Sequence, residues 1–142
     1  MSGCSRSAQC ELVGTDDGRL VDEYPSCNPA GTEIAWARET GYKSGTTQIF
    51  KISVSDFLED PFDPSDIVQL TFPIHNNNAT MPTWSPSGSQ IAFATNRYQH
   101  NDPTDLDYDI WVINSTGTAN DTPLTDNSDE DDEPNWGPGI LE

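Results

Sequence analysis

Apolar residues along the chain come in short alternating runs, broken by clusters of Gly, Pro, Asn, Asp and Ser. Gln48-Ile-Phe-Lys-Ile52 and Asp109-Ile-Trp-Val-Ile113 are two such runs, and Ile34-Ala-Trp-Ala37 and Ile91-Ala-Phe-Ala94 are two more. A period of two sends successive side chains to opposite faces of a sheet, and no stretch carries the helical period. The pattern predicts an all-β chain of short strands. Pro29-Ala-Gly31 and Pro86-Ser-Gly88 have tight-turn chemistry, with proline presetting φ and glycine free to take a positive φ, and each joins two predicted strands.

Laid against itself, the chain repeats. Pro25-Ser-Cys-Asn-Pro-Ala-Gly-Thr-Glu-Ile-Ala-Trp-Ala37 aligns without a gap on Pro82-Thr-Trp-Ser-Pro-Ser-Gly-Ser-Gln-Ile-Ala-Phe-Ala94, with Pro25/Pro82, Pro29/Pro86, Gly31/Gly88, Ile34/Ile91, Ala35/Ala92 and Ala37/Ala94 identical. The downstream halves follow in the same order: Gln48–Ile52 matches Asp109–Ile113, and Val68-Gln-Leu-Thr71 matches Thr122-Pro-Leu-Thr125. Each unit reads as four extended segments, the size of a propeller blade with polar insertions. A third unit starts at Pro134-Asn-Trp136.

Pro82-Thr-Trp-Ser-Pro-Ser-Gly-Ser-Gln-Ile-Ala-Phe-Ala94, then Asp109-Ile-Trp-Val112, then Pro123-Leu-Thr125 resembles the WD-like repeat of TolB-type β-propellers, over roughly residues 20–139. The resemblance implies a propeller-blade fold with binding or scaffold duties and carries no catalytic site. The first unit departs from the family pattern in two places: Cys27 stands where a Trp is expected, and Gln48 where an Asp usually precedes the third strand.

The expected organisation is a single domain over 1–142. An N-terminal strand segment covers 1–19, a first blade 20–75, a second blade 76–130, and the first strand of a third blade 131–142. Two blades do not close a propeller, which needs about four. Leu12 and Val13 would form the last strand of a preceding blade, and Pro134, Trp136 and Ile140 the first strand of a following one. Unpaired strand edges recruit other strands. Copies would therefore complete each other's blades head to tail, closing into a ring or running on as a filament. Alternatively the chain is a piece of a longer propeller, or a blade pair whose loops recognise a protein or glycan.

Lys and Arg number 6 against 24 Asp and Glu, for a formal charge of −18. Such a chain repels phosphate backbones, so nucleic acid is excluded as a partner, and no apolar run is long enough for a membrane span. Met-Ser-Gly-Cys4 resembles the tail of a bacterial lipobox without its apolar stretch, which makes a periplasmic or lipid-anchored protein the alternative to an extracellular or cell-surface one. Cys4, Cys10 and Cys27 are an odd number. One disulfide is expected, with Cys4–Cys10 the short loop and Cys10–Cys27 the staple onto the first unit. Asn78, Asn114 and Asn120 each begin an Asn-x-Ser/Thr acceptor in a predicted turn or insertion and could carry a glycan coat.

Asp105, Asp107 and Asp109 alternate along an extended stretch and could offer oxygens to calcium, although Ile110 and Thr116 break the EF-hand pattern. The competing reading has Asp109 hydrogen-bonded inside the blade and the other two solvated. Asp129-Glu-Asp-Asp-Glu133 is a denser acidic run with the reading of a solvated loop. No nucleophile elbow, zinc-binding helix motif or phosphate loop is present, so the chain is expected not to be an enzyme and to need no cofactor beyond calcium.

Overall fold

The computed structural model describes residues 21–40, 46–72, 77–97, 107–117, 121–125, 127 and 129–137. Eight strands form two four-stranded antiparallel sheets. The first holds β1 (Asp22–Cys27), β2 (Glu33–Glu39), β3 (Thr47–Ser53) and β4 (Val68–Gln69), in that order. The second repeats the order with β5 (Ala79–Trp84), β6 (Gln90–Thr95), β7 (Asp109–Asn114) and β8 (Thr122–Pro123). The chain is all-β, and its architecture is that of a partial propeller: two meander blades laid side by side.

The turns between the first two strands of each blade are made the same way. Gly31 donates its N–H to the Asn28 carbonyl at 2.9 Å, and Gly88 donates to the Ser85 carbonyl at 2.9 Å. Both glycines stand at positive φ, 69° and 74°, a conformation that a Cβ would strain. The residue that starts each turn also closes it with its side chain: Asn28 Oδ1 accepts from the N–H of Thr32 and Glu33, and Ser85 Oγ accepts from that of Gln90.

A second repeated device lies in the first strand of each blade. Tyr24 and Met81, each just before the repeat's first proline, take left-handed backbone at φ 54° and 52°. The β1–β2 register shifts between Glu23 and Ser26, and the β5–β6 register between Thr80 and Thr83. Each is a bulge that kinks the innermost strand. Glu133, just before Pro134, has φ 49°. The third unit therefore begins with the same backbone conformation as the first two.

The core follows from the alternation. Ala35, Ala37, Ile49 and Leu70 on one face of the first blade meet Trp84, Ile91, Phe93 and Ile113 of the second. Small residues on one side and large ones on the other let the sheets interdigitate. Gly117, at φ 76°, lies so close that a Cβ there would stand 3.0 Å from Leu70 Cδ2.

The other face of the first blade presents Ile34, Trp36 and Ile52, against which Val54, Phe57 and Ile67 pack. Two of these three come from a feature the alternation does not anticipate, a one-turn helix α1 (Val54–Phe57) followed by a 3₁₀ turn at Pro64–Asp66. Ser53 caps the helix reciprocally: its Oγ accepts from the Asp56 N–H at 3.0 Å and donates to Asp56 Oδ2 at 2.6 Å. The excursion 53–67 is thus a cap on the first blade.

Candidate functional site

The residues that join one blade to the next form the most regular constellation in the molecule. Trp84 Nε1 reaches across to the Ser26 carbonyl at 2.9 Å, and Trp136 Nε1 reaches the Thr83 carbonyl at 3.0 Å. Ser26 and Thr83 are equivalent positions, as are Trp84 and Trp136. One bond is therefore made twice: an indole of each new blade ties to the first strand of the blade before it. Pro134 and Trp136, both expected to serve assembly, are half-buried at this junction, whereas Leu12, Val13 and Ile140 lie outside the described residues. The position equivalent to Trp84 in the first blade is Cys27, which has no indole to donate.

Asp109 is buried at the start of β7, where Thr125 Oγ1 donates to its Oδ1 at 3.3 Å and also accepts from the Ile110 N–H at 2.9 Å. Gln48 does the same work in the first blade: Thr71 Oγ1 donates to Gln48 Oε1 and accepts from the Ile49 N–H, each at 2.8 Å. Gln48 Nε2 then adds a bond to the Asn77 carbonyl. An acceptor at this position holds the third strand to the fourth, and either an amide or a carboxylate can supply it. Of its two companions in the proposed calcium set, Asp107 is exposed and Asp105 lies outside the described residues.

Three carboxylates that the alternation did not single out do converge. Asp56, Glu59 and Asp66, on α1 and the 3₁₀ turn, bring oxygens within 4.8 Å of one another. Their only sequence signal is the acid-rich stretch that the cap folds up. Beside them Asp63 accepts from the Ser65 N–H at 2.9 Å. This bond and one to the Ser65 side chain hold its carboxyl below the ordinary value.

The sequons differ in their surroundings. Asn78 has its side-chain amide committed at both ends, with Oδ1 accepting from the Thr47 N–H at 3.0 Å and Nδ2 donating to the Tyr108 hydroxyl at 3.2 Å. A glycan on Nδ2 would compete with the second of these. Asn114 ends β7 half-buried, and Asn120 lies outside the described residues. Cys27 ends β1, and no free cysteine stands among the described residues. Cys4 and Cys10 lie outside them.

Between the bulges of β1 and β5 opens a cleft of about 300 Å³, lined among others by Glu23, Tyr24, Asn78, Met81, Tyr108 and Glu130. Its charged lining is wholly acidic. The cations are elsewhere. Asp22 takes Arg38 Nε at 2.6 Å and Nη2 at 2.8 Å, and Trp36 Nε1 at 3.0 Å. Lys51 pairs with Glu33 at 2.7 Å, and Arg97 pairs with Asp121 while lying over the Trp111 ring. Every Lys and Arg among the described residues is thus spent in an internal ion pair. The remaining charge is uncompensated and negative. Among the described residues no helix is long and apolar enough to cross a membrane.

No family model matches the chain, and no curated protein matches it. Among solved structures, one described as TolB from Agrobacterium tumefaciens superposes with a TM-score of 0.56 at 17% identity, over 78% of this chain and 32% of that one. A structure of TolB from Acinetobacter baumannii aligns with a TM-score of 0.34 at 15% identity, over 72% of this chain and 32% of that one. The chain spans about a third of the length of either. The first likeness places the fold among TolB-like propellers.

Proposed function

We infer that this chain is a non-catalytic structural module that assembles with its own copies, blade upon blade, into a filament or ring outside the cytoplasm. One observation carries the reading: the Trp84–Ser26 bond between the two blades recurs as Trp136–Thr83, on a segment that also repeats the left-handed backbone of the earlier blade starts. The stack of blades therefore continues beyond the second sheet, and the next blade begins in this chain. The TolB-like fold supports the same reading, since propellers are built by radial repetition of such units.

In this reading a Cys27–Cys10 disulfide staples the N-terminal segment to the first blade in place of the missing indole. Asn114 and Asn120 are the sequons that carry sugar, with Asn78 kept for the bond to Tyr108. Calcium, if bound by Asp105, Asp107 and Asp109, relieves part of the acidic repulsion between copies.

Electron microscopy of the purified protein tests the central claim. Fibres or discs are expected from the full chain, and loss of both is expected on deleting 134–142 or on Trp136→Ala. Assemblies that survive both changes intact would overturn it. A second reading, favoured by the acidic cleft between the bulges, is a binding module that takes a protein or glycan partner. It requires a folded monomer at working concentration, which light scattering distinguishes from an obligate assembly.

A further inference from the structure

Equivalent strands of two repeats should bury equivalent residues alike, and at one position these do not. Leu70 and Leu124 occupy the same place after the fourth strand of their blades. Each donates its backbone N–H to the third strand, Leu70 to the Ile49 carbonyl and Leu124 to the Ile110 carbonyl, both at 2.8 Å. Yet Leu70 is 3% exposed and Leu124 is 61% exposed. Backbone and residue type are the same, so the difference is the neighbour: the second blade covers Leu70, and no described residue does the same for Leu124. Ile49 and Ile110 repeat the contrast, the first fully buried and the second partly open. Trp136 supplies the inner edge of the absent neighbour, on the Thr83 carbonyl, and leaves the surface from Ile110 to Leu124 unfilled.

At the opposite end of the stack, the excursion 53–67 covers the outer face of the first blade. While Val54, Phe57 and Ile67 pack inward, Leu58 and Phe62 on the same excursion stay 67% and 41% exposed. A chain with an unfilled apolar face at one end and an apolar knob at the other is complementary to its own copy, through a heterologous contact. We propose that the Leu58–Phe62 knob of a second copy covers the Ile110–Leu124 face, continuing the interface that already joins the two blades. Opposite charges do not drive the contact, because every described cation is already paired within its own chain. The proposal rests on the self-assembly reading and names its surfaces.

Two single-cysteine additions test it, Leu58→Cys on one copy and Leu124→Cys on the other, joined by a short bis-maleimide in the full chain. Cross-linked dimers are expected only when the two variants are mixed. Dimers from Leu124→Cys alone would overturn the proposal in favour of two open faces meeting. Oligomers that persist by light scattering but give no cross-link in the mixture would overturn it while leaving self-assembly standing. A wild-type chain that stays monomeric at every concentration would overturn both. Leu124→Asp, at an exposed position where it leaves the fold intact, is expected to weaken association at least about tenfold; unchanged association overturns the proposal.

Discussion

Truncating Leu70 and Leu124 to alanine compares one side chain in one strand position with and without a blade on top of it. Leu70 is 3% exposed and lies against Gly117, where even a methyl group would approach its Cδ2 to 3.0 Å. Leu70→Ala therefore opens a cavity in a tightly packed interface, and such cavities cost about 2–5 kcal/mol, the upper half applying where neighbouring backbone cannot collapse. For a chain of this length, each kcal/mol lowers the melting temperature by about 3 °C, so a loss of about 3 kcal/mol appears as about 10 °C. Leu124, 61% exposed, has already forgone most of its burial, and Leu124→Ala is expected to change stability by less than about 0.5 kcal/mol. The assay is urea unfolding followed by tryptophan fluorescence, at a dilution where light scattering shows no assembly. Equal losses for the two variants would refute the assignment of Leu70 to an inter-blade core and of Leu124 to an open face.

Other consequences follow from the same geometry. Gly117→Ala meets both a positive φ and the Leu70 contact, whereas Gly88→Ala meets the φ alone with its nearest listed neighbour atom at 3.7 Å. The first is expected to cost about 2–3 kcal/mol and the second about 1, read from the same unfolding curves. Asp22→Ala removes the carboxylate that takes two bonds from Arg38 and one from Trp36, and leaving that guanidinium unpaired is expected to cost about 3 kcal/mol or more. Trp84→Phe keeps the ring and deletes the donor to Ser26, for about 1 kcal/mol and a slightly looser blade pair. Because copies of a chain with charge −18 repel one another, assembly is expected to strengthen as salt rises from 0.05 to about 0.5 M by sedimentation velocity, opposite to an interface held by ion pairs. The Asp63 carboxyl, whose folded pKa lies below the ordinary value, titrates in NMR at lower pH than its exposed acidic neighbours; its small contribution to the cap is present above the unfolded pKa and lost as pH falls through the folded one.

The repeat was legible in the amino-acid sequence because its determinants are local. Two-residue alternation, a proline, an Asn or Ser and a glycine at fixed offsets make a strand, a turn and a strand wherever they occur, and they occur twice in full and once in part. The substitution of Gln48 for Asp left the fold alone for an equally local reason, since either side chain accepts the same threonine hydroxyl. The cap was not legible: one turn of helix carries no period, and its Ser53–Asp56 capping pair is two common polar residues inside a polar insertion. Nor was the Asp22–Arg38–Trp36 cluster, whose members stand 14 and 16 positions apart and meet through the β1–β2 register. Asn78 shows the same limit. As a sequon it is three residues long, but its amide is taken up by Thr47 and Tyr108, about 30 positions away on either side. Leu70 and Leu124 mark the boundary most sharply. Their surroundings in the chain are alike, so no reading of residues could tell them apart. Burial is a property of what lies above the strand, and only the stacking of one blade on the next decided which leucine became core and which became surface.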